Sequence, residues 1–146
     1  MGKVSAMQSS EGGCLCGAVR YRVAGAPRSS SICHCRSCRR ASGASAVAWL
    51  TVNRAQLEFL AGKPHSFQSS PGVVRQFCDN CGSALSYENA DSPSTIDITT
   101  ASLDDPNRFP PTKEVWVEHK VSWQIIDPAL TQHPRWSMSD EHSADS

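Results

Sequence analysis

Seven cysteines constrain this chain more than any other feature, because all seven fall into three short clusters. The clusters are Cys14-Leu15-Cys16, Cys33-His34-Cys35-Arg36-Ser37-Cys38 and Cys78-Asp79-Asn80-Cys81, followed within a few residues by Gly17, Gly43 and Gly82. A Cys-x-x-Cys turn delivers two thiolates to one metal, and a glycine just beyond it lets the backbone curl round the ion. One such pair alone would be a weak signal, since redox and haem chemistry also use it. Three clusters that exhaust every cysteine are a strong one. Disulfides are the weaker reading, because seven is odd and residues 1–11 lack the apolar stretch of an export signal. A thioredoxin-type site would want a βαβ context, and none is visible.

The count also limits how metals can be shared. A closed site takes four thiolates in a tetrahedron, which leaves three, the ligand number of an open, catalytic-type zinc site. Cys33, Cys35 and Cys38 are the natural three, since one short loop can hold them. Two Zn²⁺ bound by seven thiolates would move the formal charge from zero to about −3. The balance of 14 basic and 14 acidic residues argues against nucleic acid or an anionic membrane as main partner. No run of about 18 apolar residues exists to span a bilayer, and the expected compartment is the cytoplasm.

A chain of 146 residues is expected to form one domain. Residues 1–10 and 137–146 are polar and small, with little to bury, and are expected to be disordered around a domain spanning 11–136. Within it, Val19, Tyr21 and Val23 alternate with Arg20 and Arg22, the period of a half-buried strand. Further strands are expected at 47–52, 57–60, 73–77, 84–87, 95–100 and 115–117, separated by turns such as Ser70-Pro71-Gly72. Many short strands favour a sandwich or barrel of sheets. Helix is scarce: a turn after Cys35 and another capped by Asn53.

Gly12-Gly13-Cys14-Leu15-Cys16-Gly17, Cys33-His34-Cys35-Arg36-Ser37-Cys38-Arg39-Arg40 and Phe77-Cys78-Asp79-Asn80-Cys81-Gly82-Ser83 resemble the three signature segments of the glutathione-dependent formaldehyde-activating (GFA) family. Ser102-Leu103-Asp104-Asp105-Pro106, with Trp116 and Trp123, resembles its C-terminal half, so the likeness spans residues 11–136. The resemblance implies a mainly β fold, the β-tent, made of several small antiparallel sheets around zinc-cysteine sites. It implies a structural zinc on Cys14, Cys16, Cys78 and Cys81, and a second, exchangeable zinc on Cys33, Cys35 and Cys38. The family activity is addition of glutathione to formaldehyde, a carbon–sulfur lyase reaction.

Other residues carry weaker signals. His34 lies between two ligands, but in a Cys-x-Cys stretch the intervening side chain tends to point away. His65, His119, His133 and His142 read as surface residues. Arg36, Arg39 and Arg40 can balance the charge of three thiolates on one Zn²⁺, or hold the carboxylates of a peptide-like thiol. Trp49, Trp116, Trp123 and Trp136 read as core or rim packing, and Asp104 with Asp105 as a turn. The expected function is addition of a small thiol to an aldehyde, or the reverse, with Cys33, Cys35 and Cys38 as the reactive centre. The alternatives are a zinc-stabilised interaction module and a thiol or metal sensor.

Overall fold

The computed structural model describes residues 9–136, so most of both polar ends, with His142, lies outside the described residues. The fold is mainly β. Its strands are β1 (Ser10–Gly13), β2 (Arg20–Val23), β3 (Ser29–Cys33), β4 (Val47–Asn53), β5 (Leu57–Ala61), β6 (His65–Ser70), β7 (Val73–Phe77), β8 (Ala84–Asn89), β9 (Thr95–Thr99), β10 (Lys113–Val115) and β11 (Thr131–Gln132). They form a three-stranded sheet in the order β1-β2-β5 and an eight-stranded sheet in the order β11-β10-β3-β4-β9-β8-β7-β6. Pairing is antiparallel except where β10 lies parallel to both β3 and β11. Helix α1 (Arg36–Ser42) supplies the turn expected after Cys35. The turn at Asn53 is 3₁₀ (Arg54–Gln56), closed by the Gln56 side chain accepting from the Asn53 amide at 2.8 Å.

Successive side chains of a strand point to opposite faces, and the large sheet uses both. On one face Leu50 and Val52 of β4 and Ile96 and Ile98 of β9 are buried against Tyr21 and Val23 of β2, with Leu57 and Phe59 of β5 alongside. This is the main core; each such side chain contributes roughly 1.5–3 kcal/mol when removed from water. On the other face Cys33, Val47, Trp49 and Tyr87 join Cys35, Cys38, Val115 and Trp116 in a second cluster.

Two strands absent from the expected set are serine-rich. β3 reads Ser-Ser-Ser-Ile-Cys and β6 reads His-Ser-Phe-Gln-Ser-Ser, sequences with little of the usual strand pattern. Their neighbours make them strands. β3 is paired on both sides, and β6 runs along β7 at the sheet edge. Residues 117–119, in part expected as strand, form a 3₁₀ turn instead. The chain enters that turn through Trp116 at φ 59°, a left-handed conformation rare for a bulky residue. Trp116 is held there by stacking on His119 at 5.0 Å and by an edge contact with Trp136.

Candidate metal centres and the cavities beside them

The first and third cysteine clusters meet although more than 60 residues separate them. The sulfurs of Cys14, Cys16, Cys78 and Cys81 all lie within 4.8 Å of one another. Two glycine-ended turns bring them there. In one, Gly17 at φ 82° lets its amide reach back to the Cys14 carbonyl at 3.2 Å. In the other, Gly82, also at φ 82°, donates to the Cys78 carbonyl at 2.7 Å. Ser83 locks the turns together, its hydroxyl accepting from the Leu15 amide at 3.0 Å. Measured separations of 3.6 Å for Cys14–Cys16 and 3.8 Å for Cys16–Cys78 match the edge of about 3.8 Å that a sulfur tetrahedron has when each Zn–S bond is ~2.3 Å. Donors already aim at the sulfurs: the Val19 amide at Cys14 (3.2 Å) and the Asn80 amide nitrogen at Cys16 (3.3 Å). The Ser83 hydroxyl and the Ser83 backbone pull the Cys81 thiol down to about 5. The residues present fit a metal ion.

The middle cluster is local. Cys33 ends β3, Cys35 caps α1 with its sulfur accepting the Cys38 amide at 3.3 Å, and Cys38 lies one turn into the helix. Their three sulfurs also lie within 4.8 Å of one another. All three residues are buried, whereas Cys16 of the other centre is exposed. Hydrogen bonds to Cys35 and Cys38, together with burial, hold the Cys33 thiol well above its ordinary value. At Cys38 the hydrogen bond with Cys33 pulls down, but Cys35 and burial outweigh it and the thiol is pushed up to about 11. Three buried sulfurs gathered within reach of one ion make a site short of positive charge, which a metal cation would supply.

Part of that charge comes from a residue the sequence did not mark. Arg75 of β7, 9% exposed, places its guanidinium 3.8 and 3.9 Å from the Cys38 sulfur, 5.0 Å over the Tyr87 ring and 3.2 Å from the Ser69 hydroxyl. Of the arginines that flank the cluster, Arg36 is exposed, while Arg39 and Arg40 line a separate open cleft with Val121 and Trp123. Nothing in the local sequence distinguished Arg75 from a polar strand residue.

His34 turns away from the cysteines. It is buried with its Nε2 hydrogen-bonded 2.5 Å from Glu114 Oε1, and Glu114 Oε2 accepts the Asp127 amide at 2.7 Å. The pair ties the cysteine loop to β10. His65 is exposed, but His119 is partly covered under Trp116. Trp49 and Trp116 are buried; Trp123 is 72% exposed, on the rim of the Arg39–Arg40 cleft. Asp104 and Asp105 are turn residues: Asp104 pairs with Arg20 at 2.6 and 3.0 Å, and Asp105 caps the Asn107 amide.

Two cavities reach the middle cluster, both bordered by Cys38 and Trp49. The smaller is little more than water-sized, with about 20 Å³ of free space, and Asp97, Thr51, Ser29 and Ser31 stand beside Cys33, Tyr87 and Trp136 in its wall. Asp97 is buried, and its carboxylate accepts from the Thr51 hydroxyl at 2.6 Å. The larger, about 450 Å³ and open to solvent, runs between α1 and strands β6–β8 and is mostly apolar.

A β protein with two thiol-built, metal-capable centres on opposite faces of one sheet is the class this architecture defines. The model of the glutathione-dependent formaldehyde-activating enzyme family matches residues 9–119, and the chain belongs to that family. A Halomonas elongata protein, provisionally named a glutathione-dependent formaldehyde-activating enzyme, is 29% identical over 91% of this chain and 94% of its own length. A crystal structure of a Rhodobacter sphaeroides protein has a similar fold: TM-score 0.56, 22% identity, covering 69% of this chain and 97% of that one. Among the described residues no helix is long and apolar enough to cross a membrane.

Proposed function

We propose that this chain is a zinc-dependent enzyme that adds a small thiol to an aldehyde, or cleaves the same carbon–sulfur bond in reverse, at Cys33, Cys35 and Cys38. One observation carries the reading: three buried sulfurs within reach of one ion, bordered at Cys38 by two cavities. Cys14, Cys16, Cys78 and Cys81 form the closed, structural zinc site of the proposal, with four ligands and no vacant position. Cys33, Cys35 and Cys38 would hold a zinc ion, which when bound would supply Lewis-acid chemistry that lowers the pKa of an external thiol.

The chain's own residues do the rest. Arg75 offsets the negative charge of the thiolates at Cys38, and Trp49 and Tyr87 exclude water from the sulfurs. Asp97, on the wall of the small cavity that borders Cys33 and Cys38, takes up the proton released from the thiol. The sulfur lone pair then forms the S–C bond while the carbonyl π pair moves onto oxygen. Asp97 returns its proton to that oxygen, giving an S-hydroxyalkyl product with the carboxylate restored. The family is named for glutathione and formaldehyde; the proposal for this chain extends to a small thiol and an aldehyde. Such chemistry needs reduced cysteines, here gathered as two metal-capable groups, and a reducing compartment such as the cytoplasm is part of the proposal.

The burial of all three sulfurs favours a second reading, in which both centres are structural and the protein is an interaction module or sensor. Metal analysis and cobalt substitution separate the two. The enzyme reading expects two metals per chain, a change in the Co²⁺ ligand-field bands on adding glutathione, and turnover with formaldehyde. A flat titration on protein holding two metals would favour the module.

A further inference from the structure

The thiol that this centre takes can be narrowed by the surface next to it, on the reading above that a thiol binds there at all. We infer that the organic part of the thiol is apolar, and that it lies in the open groove beside Cys38. The groove begins at the reactive sulfur: Cys38, Val47 and Trp49 form its inner end. Ala41 of α1 stands on one wall, and Phe67, Phe77 and Ala84 on the strand side. Phe67 sits on edge strand β6 with 62% of its surface exposed. A large, exposed aromatic side chain facing a reactive metal centre has the character of a ligand wall.

Charge makes the same selection. Glutathione carries two carboxylates and an ammonium, and each needs a partner when it leaves water. Arg75 is the charged residue of the groove, and its guanidinium already serves the Cys38 sulfur, Ser69 and the Tyr87 ring. Of the candidates for carboxylate recognition, Arg36 is exposed and does not line the groove, and Arg39 and Arg40 line the separate cleft with Trp123. An aryl or alkyl substituent would find apolar walls along the groove. Each methylene it buries is worth roughly a fourfold gain in affinity, so a benzyl group should gain about 10- to 100-fold over a hydroxyethyl group.

The test uses the whole chain loaded with Co²⁺, its metal content checked by native mass spectrometry, and titrated with benzyl mercaptan, 2-mercaptoethanol and glutathione while the ligand-field bands are followed. Benzyl mercaptan is expected to bind at least about tenfold more tightly than either of the others. Phe67→Glu should bring its affinity down toward that of 2-mercaptoethanol, and so should Ala41→Glu on the opposite wall; both positions are exposed, and the second serves if the first misfolds. Glutathione binding as tightly as benzyl mercaptan, or a benzyl preference that survives both substitutions, overturns the inference and leaves the thiol centre standing. Bands that respond to no thiol overturn the centre itself, and the inference with it.

Discussion

The two cysteine centres are built in opposite ways. The four-cysteine centre joins segments that start at residues 14 and 78, each followed by a turn that ends on a glycine at φ 82°. The three-cysteine centre is made within residues 33–38, from a strand end and the first turn of α1. The long-range centre is the more exposed at its sulfurs, and the local one is wholly buried. Closing a loop of more than 60 residues removes much more chain freedom than closing one of five. With a metal bound, the first centre would work as a clasp on the fold. The second is a fixture of one segment, with Arg75, Asp97 and Trp49 arriving beside it from other strands.

Breaking the clasp should have the largest effect. A Cys₄ zinc contributes ~10–16 kcal/mol of apparent binding free energy, comparable to a domain's total stability of ~5–15 kcal/mol. Cys78→Ser is expected to give an unfolded or aggregating product, visible as loss of the cooperative melt. A near-normal melting temperature would remove Cys78 from the structural role.

Cys35→Ser addresses the other side of the comparison. It should lose one metal per chain by native mass spectrometry and keep a cooperative melt, because β3 and α1 are anchored independently of the ion. Loss of both metals, or global unfolding, would mean that the two centres are equally structural.

Gly82→Ala tests the turn geometry with the ligands left in place. An alanine Cβ there would have no atom within 4 Å, so its cost is the left-handed backbone alone, about 1–2 kcal/mol. Chemical denaturation should show that loss. An unchanged midpoint would mean that the turn relaxes without strain.

The smallest effect belongs to Asp104, whose bidentate pair with Arg20 holds its carboxyl below the ordinary carboxylate value. A depressed pKa gives stability that is present above the ordinary carboxylate pKa and is lost as pH falls through the folded value. The pair is partly exposed, so Asp104→Asn should cost about 0–1 kcal/mol near neutrality. The difference from wild type should vanish at acid pH. A larger cost near neutrality would make this pair part of the clasp.

Much of the structure was legible in short-range signals. The cysteine spacing, with a glycine after each cluster, marked both centres, since a turn is decided by a handful of neighbouring residues. Alternation at Val19, Tyr21 and Val23 marked β2, and Val73–Phe77 was bounded to the residue by its flanking turn and cysteine. His34 was expected to point away and does, but its partner Glu114, 80 residues on, had no local signature. β3 and β6 were not legible, because serine-rich segments become strands through pairing and not through intrinsic preference.

By itself, then, the sequence determined which residues can hold metal and that the chain is mainly β. Tertiary structure decided what surrounds the metal. Phe67, Arg75, Tyr87, Asp97 and Thr51 stand in one row across five strands, β6, β7, β8, β9 and β4, each opposite the next. A slip of one residue in any of those pairings would turn the rest of the row to the other face of the sheet. Register is fixed by burying the correct face against the second sheet, a property of the whole chain. That is why the guanidinium at Cys38, the carboxylate in the small cavity and the aromatic wall of the groove could not be read from their own neighbourhoods.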